Sequence, residues 1–371
     1  MSRIPLIVMI AVAVLSGLGT GRAAAETRVF DAHHQLEVRL PEGATRMRLW
    51  FAIPQQVPDQ RVEDFSVEAP FEYRIVEDTD GNRFLFGEVD LARFAAAGIN
   101  GPGPETVRVD ERFRLVRSES RHDVDPSKSR PYEPADLIDM GPFLEPDKYV
   151  VINDRIRELA QTITGGEPNP LIASRKIYDW VLENVDYWVK QPASMKASKV
   201  GSTTYCLDTG TGNCTDFHSL YASLSRAHGI PTRIVYGSLF KPELDGTETD
   251  QSYHCWIEFW APGVEWVPLD VAIADIFAGE FAVDDANRQL VSRTTATGYQ
   301  GPDPRLVDYY FGNLDARRVT WSVGRDLILD PPAASGPINA LPKAYIEIDG
   351  KPLAEGEGWT RKFTFRELGT E

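Results

Sequence analysis

One cysteine, one histidine and one aspartate in this chain have the right types and spacing for chemistry. Cys214 stands near the start of Gly212 to Gly237 (GNCTDFHSLYASLSRAHGIPTRIVYG), His254 follows in YHCWIEFW, and Asp270 ends WVPLD. Such a set suits thiol acyl transfer. A thiolate attacks a carbonyl, an imidazole takes and returns the proton, and a carboxylate fixes the ring tautomer and stabilises its cation.

The elements that must position these groups can be read locally. Phe217, Leu220, Tyr221, Leu224 and Ala227 keep the spacing of one buried helix face. Gly229 stands where a left-handed cap is wanted, and Pro231 where a helix cannot continue. Cys214 then falls in or beside the first turn, after the flexible pair Gly212–Asn213. There, unpaired N–H groups and the helix dipole favour thiolate. Tyr253 to Trp260 alternates as a strand, with His254, Trp256, Glu258 and Trp260 on one face. Pro262–Gly263 marks a turn, and Glu265 to Leu269 returns. A turn centred near Pro262 predicts Asp270 opposite His254, within about one residue of register.

GNCTDFHSL, GIPTRIVYG, HCWIEF and WVPLD together resemble the core of the transglutaminase-like superfamily, a papain-like group of Cys-His-Asp enzymes. The resemblance extends upstream to ASRKIYDWVLENVDY and downstream to FGNLDARRVTWSVGRD, and so covers roughly residues 140 to 330. It implies an α+β fold in which a helical part packs on an antiparallel sheet. It also implies Cys214 as nucleophile, His254 as general base and acid, and Asp270 as the orienting carboxylate. No cofactor or metal is implied. The substrate would be a protein or peptide, cell-wall peptide included. Water as acceptor would make a cysteine peptidase or amidase, and an amine would make a protein-glutamine transglutaminase. The other readings are a non-catalytic peptide- or glycan-binding module and a structural partner in an envelope assembly.

Several neighbours have plainer roles. His218 lies one turn after Cys214, but without CxxC or HExxH it reads as a structural histidine under the helix, not as a metal ligand. Asp216 reads as a helix cap. Tyr187, Trp188, Gln191 and Tyr205 are the candidate partners for the Cys214 N–H in an oxyanion hole. The three cysteines, Cys206, Cys214 and Cys255, are an odd number. A Cys206–Cys255 bridge, two buried free thiols, and a Cys206–Cys214 bridge are all open.

Met1 to Ala25 combines Arg3, an apolar run from Ile4 to Leu18 and Ala23-Ala24-Ala25, the make-up of a cleavable signal peptide. Periplasmic location or secretion follows, with no membrane span after cleavage. Cleavage removes Arg3 and Arg22 and no acid, taking the net formal charge from −16 to −18. A surface so acidic, with no basic stripe, excludes nucleic acid as a partner class. Oligomeric state is not legible.

Residues 26–125 read as a β-sandwich. Leu36/Val38/Leu40, Met47/Leu49/Phe51/Ile53 and Val107/Val109/Phe113/Leu115 alternate, with glycine- and proline-rich turns between the runs. His33 and His34 point to opposite strand faces and cannot share a metal. The polar stretch Ser118 to Pro134 leads out of the sandwich, with 126–139 as linker. Residues 140–330 form the catalytic domain, opened by an Asn169 cap and Pro170. Residues 331–371 form a β tail, which either joins the core sheet or packs on the sandwich.

Overall fold

The alternating runs become strands because each has one apolar face to bury. The computed structural model of the chain describes residues 25–96, 106–248, 253–296 and 298–370. All but the last residue of the expected signal peptide therefore lie outside the described residues. The fold is α+β, with helices on an antiparallel sheet preceded by two stacked antiparallel sheets. One of the stacked sheets orders Trp359–Thr370, Thr27–Arg39, Thr106–Ser118 and Gln60–Glu68. The other orders Lys351–Pro352, Ala344–Ile348, Arg46–Ala52, Arg83–Asp90 and Tyr73–Glu77. Leu36, Val38 and Val109 from the first meet Leu49, Phe51 and Leu85 from the second, all fully buried.

The C-terminal tail completes both sheets of the sandwich. Ala344–Ile348 pairs with Arg46–Ala52, and Trp359–Thr370 runs antiparallel to Thr27–Arg39. Between them the chain turns at Asp349 (φ 49°) and Gly350 (φ 77°).

A second apolar cluster joins sandwich to core. Phe30, Trp50, Phe84 and Phe363 from the sandwich pack with Val319 and Trp321 from the core sheet and with Phe240, which follows a core strand. Each such buried aromatic contributes about 2–3 kcal/mol, so the seam holds the two parts in fixed relation. The segment expected as a linker also lies against the core, where Tyr132 stacks on Trp260 with ring centroids 5.9 Å apart.

The core sheet orders Glu265–Leu269, Tyr253–Ala261, Thr232–Leu239 and Arg318–Val323, all antiparallel. Helices Pro170–Asn184 and Cys214–His228 pack with it into one buried cluster. Asn169 caps the first by accepting the Leu171 N–H at 3.0 Å, and Pro170 starts it. Gly229, at φ 91°, ends the second in the left-handed conformation that its lack of Cβ permits.

Candidate active site

Cys214 is the first residue of its helix, and Asn213 is the cap. Asn213, half of a pair expected to be flexible, is instead fixed. Its Oδ1 accepts the N–H groups of Thr215 (3.0 Å) and Asp216 (3.1 Å), and Asp216 Oδ2 accepts the Asn213 N–H (3.0 Å). This reciprocal box satisfies the orphan donors of the first turn. Asp216 also accepts N–H bonds from Ser198 (3.0 Å) and Ser202 (2.8 Å), tying down the loop ahead of the helix. A Cβ at Gly212 would lie 2.4 Å from that of Asp216, so only glycine fits beside the box.

The Cys214 N–H escapes capping and donates to the Tyr187 hydroxyl oxygen at 3.1 Å. Of the four candidates near this position, Tyr187 is the one in contact.

His254 and Asp270 meet by a route that differs from the expected register. The hairpin pairs Ala261 with Glu265 and Ile257 with Leu269, so it turns about Gly263 and not Pro262. Gly263 (φ 85°) and Glu265 (φ 71°) take the positive dihedrals this turn needs. Continued, the register sets Asp270 opposite Trp256, two residues from His254. Contact is made diagonally because Asp270 has left the strand to cap helix Val271–Ala278, accepting the Ile273 N–H at 3.0 Å. His254 Nε2 then donates to Asp270 Oδ2 at 2.7 Å, leaving Nδ1 for the Cys214 side.

Asp270 has a further partner that sequence reasoning missed. Arg318, fully buried, donates Nη1 to Asp270 Oδ2 at 2.6 Å and Nη2 to Asp315 Oδ2 at 2.9 Å. Its guanidinium stands 5.2 Å from the Trp256 ring centroid. The available signal was an arginine placed three residues after an aspartate in a run of strand-forming residues. A charge there is retained only when paired.

These contacts set the charge states. Burial opposes ionisation of Asp270, but the cations of His254 and Arg318 outweigh it and hold the carboxyl well below its usual range. Burial likewise pushes His254 down, and Asp270 with the Cys214 sulfur raises it to about 9. The Cys214 thiol is lowered well below its usual value. A hydrogen bond from Cys255 is the largest cause, burial opposes it, and His254 adds to the lowering. Thiolate and imidazolium therefore stand together near neutral pH.

His218 sits beside this group, its ring centroid 6.2 Å from that of His254. Its Nδ1 lies 3.3 Å from Cys255 Sγ, and burial lowers it to about 4, so it is neutral. Cys206, Cys214 and Cys255 are all free and buried, and the Cys206–Cys255 bridge is not formed. Cys214 is 3% exposed and His254 2%, so the site is closed over.

Residues 157–271, which include Cys214, His254 and Asp270, match the family model of the transglutaminase-like superfamily core. This segment is a transglutaminase-like domain. An uncharacterized protein of Haemophilus influenzae is 26% identical over 380 aligned positions, covering 93% of this chain and 95% of its own. A protein-glutamine γ-glutamyltransferase of Pseudomonas aeruginosa is 29% identical over 124 positions, which span 32% of this chain and 18% of the relative. Among solved structures, a proposed cysteine protease from Cytophaga hutchinsonii superposes with a TM-score of 0.56 at 18% identity, covering 94% of this chain and 92% of that one. The likeness shows that the fold extends beyond the transglutaminase-like domain to the sandwich. Among the described residues no helix is long and apolar enough to cross a membrane.

Proposed function

We propose that the protein is a thiol-dependent acyltransferase or hydrolase acting on amide bonds, with Cys214, His254 and Asp270 as its catalytic triad. The observation that carries this reading is the buried His254 ring hydrogen-bonded to Asp270 at 2.7 Å, supported by the way His254 and Cys214 each favour the other's charged form. Cys214 thiolate attacks the amide carbonyl, forming a C–S bond. The oxyanion takes over the Cys214 N–H that the Tyr187 hydroxyl accepts in the resting site, and that hydroxyl turns to donate alongside it. As the intermediate collapses, His254 gives its proton to the departing amine, leaving a thioester. Water or a second amine then attacks the thioester, losing a proton to His254, and Cys214 leaves as thiolate. Asp270 keeps the ring oriented throughout, and Arg318 positions Asp270.

Support for acyl transfer also comes from the match to the transglutaminase-like family and the local likeness to a protein-glutamine γ-glutamyltransferase. Arg3, the apolar run that follows and Ala23-Ala24-Ala25 support export, with the periplasm as first destination. The test is the rate of iodoacetamide labelling at Cys214 against pH, in the mature protein and in His254→Ala. Fast labelling that persists into acid and is slowed by the variant is expected. Slow labelling in both would remove the enzymatic reading.

A further inference from the structure

Near the site lies a cation that the triad does not use. Lys241 follows strand Thr232–Leu239 by two residues and begins the segment that leads to His254. The residue is 0% exposed, and its Nζ has no hydrogen-bond partner among the described residues. Most lysines reach water with the ammonium even when the stem is covered, so an enclosed, unpaired one is exceptional. It costs stability unless something else pairs with it.

Its surroundings connect it to the reacting thiol. The turn Pro242–Leu244 that follows Lys241 is held to helix Arg288–Thr294, where Ser292 Oγ donates to Glu243 Oε1 at 3.1 Å. That helix in turn packs on Trp188–Lys190, directly after Tyr187, whose hydroxyl meets the Cys214 N–H. Asn287, which precedes the helix, donates to the Lys190 carbonyl at 3.0 Å. Successive contacts thus link the turn after Lys241, through the helix and Trp188–Lys190, to the Tyr187 hydroxyl at Cys214. Burial pushes Lys241 down to about 7. Glu243 and the Cys214 thiolate work against this, and Arg293 adds to it.

We infer that Lys241 is a specificity residue whose ammonium receives a carboxylate carried by the substrate close to the scissile amide. The inference rests on the acyl-transfer reading and narrows its substrate class to acidic amides and peptides. A carboxylate is the group that an enclosed ammonium with spare donors selects, and a neutral isostere would leave the charge unpaired.

The probe is glutarate, titrated calorimetrically into the full mature chain, with glutaramide as the neutral control. Wild type is expected to bind glutarate at least tenfold more tightly than glutaramide, and glutarate should slow iodoacetamide labelling of Cys214. Lys241→Met should lose at least tenfold in glutarate affinity while its Tm stays at or above that of wild type. Equal affinity for the two compounds in wild type, or unchanged glutarate binding in Lys241→Met, would overturn the inference. The calorimetric signal needs no reactive thiol, so unreactive Cys214 would count against the acyl-transfer reading alone.

Discussion

Two buried histidines in this chain each face a carboxylate and an arginine, yet they end in opposite charge states. His254 meets Asp270 at the site, and His34 meets Glu111 inside the sandwich, Nδ1 to Oε2 at 2.9 Å. At the site the carboxylate is supported from three sides, by His254, by Arg318 and by the Ile273 N–H at a helix start. In the sandwich Glu111 has one oxygen, Oε1, with no partner among the described residues, and burial raises its carboxyl well above the usual range. Arg361 donates its Nε to His34 Nε2 at 2.6 Å, and its charge only partly offsets the burial of Glu111. His34 is also packed among Phe51, Trp321 and Phe363, and burial lowers it well below its usual value. The same three kinds of group, imidazole, carboxyl and guanidinium, make a charged base in one place and a neutral packing unit in the other. Donors on the carboxylate keep it ionised, and a short bond to that anion then charges the ring; His218, 3.6 Å from the same Asp270, stays neutral.

The comparison breaks most sharply if the acids are made neutral. Asp270→Asn leaves Arg318 with Asp315 alone and removes the charge that raises His254. Loss of about 3–5 kcal/mol is expected, with thiol reactivity near pH 6 down roughly 10²–10⁴-fold. Glu111→Gln, at an acid already held protonated, should change stability by only about 1 kcal/mol and leave labelling unchanged. Urea unfolding and labelling rates of both variants check this; equal costs would refute the donor-count explanation.

The next effect is on stability against pH. His254 is raised from its ordinary value to about 9, so its contribution is complete at acid pH and is lost as pH rises through the folded value. Cys214 is lowered, so its contribution is present at alkaline pH and masks that loss. Cys214→Ala should uncover the part of it that Asp270 supplies, with stability falling by about 1–2 kcal/mol between pH 6 and pH 10. Adding His254→Gln should flatten the curve. His34, lowered by burial, acts in the other direction and destabilises as pH falls below its ordinary value. His34→Leu should therefore lessen the acid loss and leave the alkaline limb unchanged.

How far the sequence reaches depends on whether the cause is local. The Cys214 helix was legible because its apolar spacing, Gly229 and Pro231 all act within a turn or two. The separation of His33 and His34 was equally legible, since strand alternation alone sends His33 to Asp110 and His34 inward. Asp270 was placed beside His254 correctly, but by a register two residues off. The turn centre depends on which residues accept positive φ, and Glu265 is an unobvious choice. The tail was legible as strands, but Arg318 and the partners of those strands were out of reach. Asp270 and Arg318 are 48 residues apart, and Arg28 pairs with Thr370 across almost the whole chain. Such pairings follow from the assembled core and leave no periodic trace in either segment.

The smallest expected effect concerns Cys255, which directly follows His254 yet works through the thiol. Its Sγ lies 3.6 Å from Thr215 Oγ1, and Cys214 Sγ lies 4.0 Å from the same oxygen, so one hydroxyl flanks both sulfurs. The Cys255 S–H lowers the Cys214 thiol by donating to it, while its own ionisation is pushed well up by burial and by the neighbouring thiolate. Cys255→Ala removes that donor and little volume, so the midpoint of Cys214 labelling should move to higher pH, with the rate near pH 6 reduced within about tenfold. His254→Ala should shift it further, because it removes the cation as well as a donor. If Cys255→Ala proves the more damaging of the two, the thiolate owes its stability to the sulfur pair, and the contrast between His254 and His34 loses its meaning for catalysis.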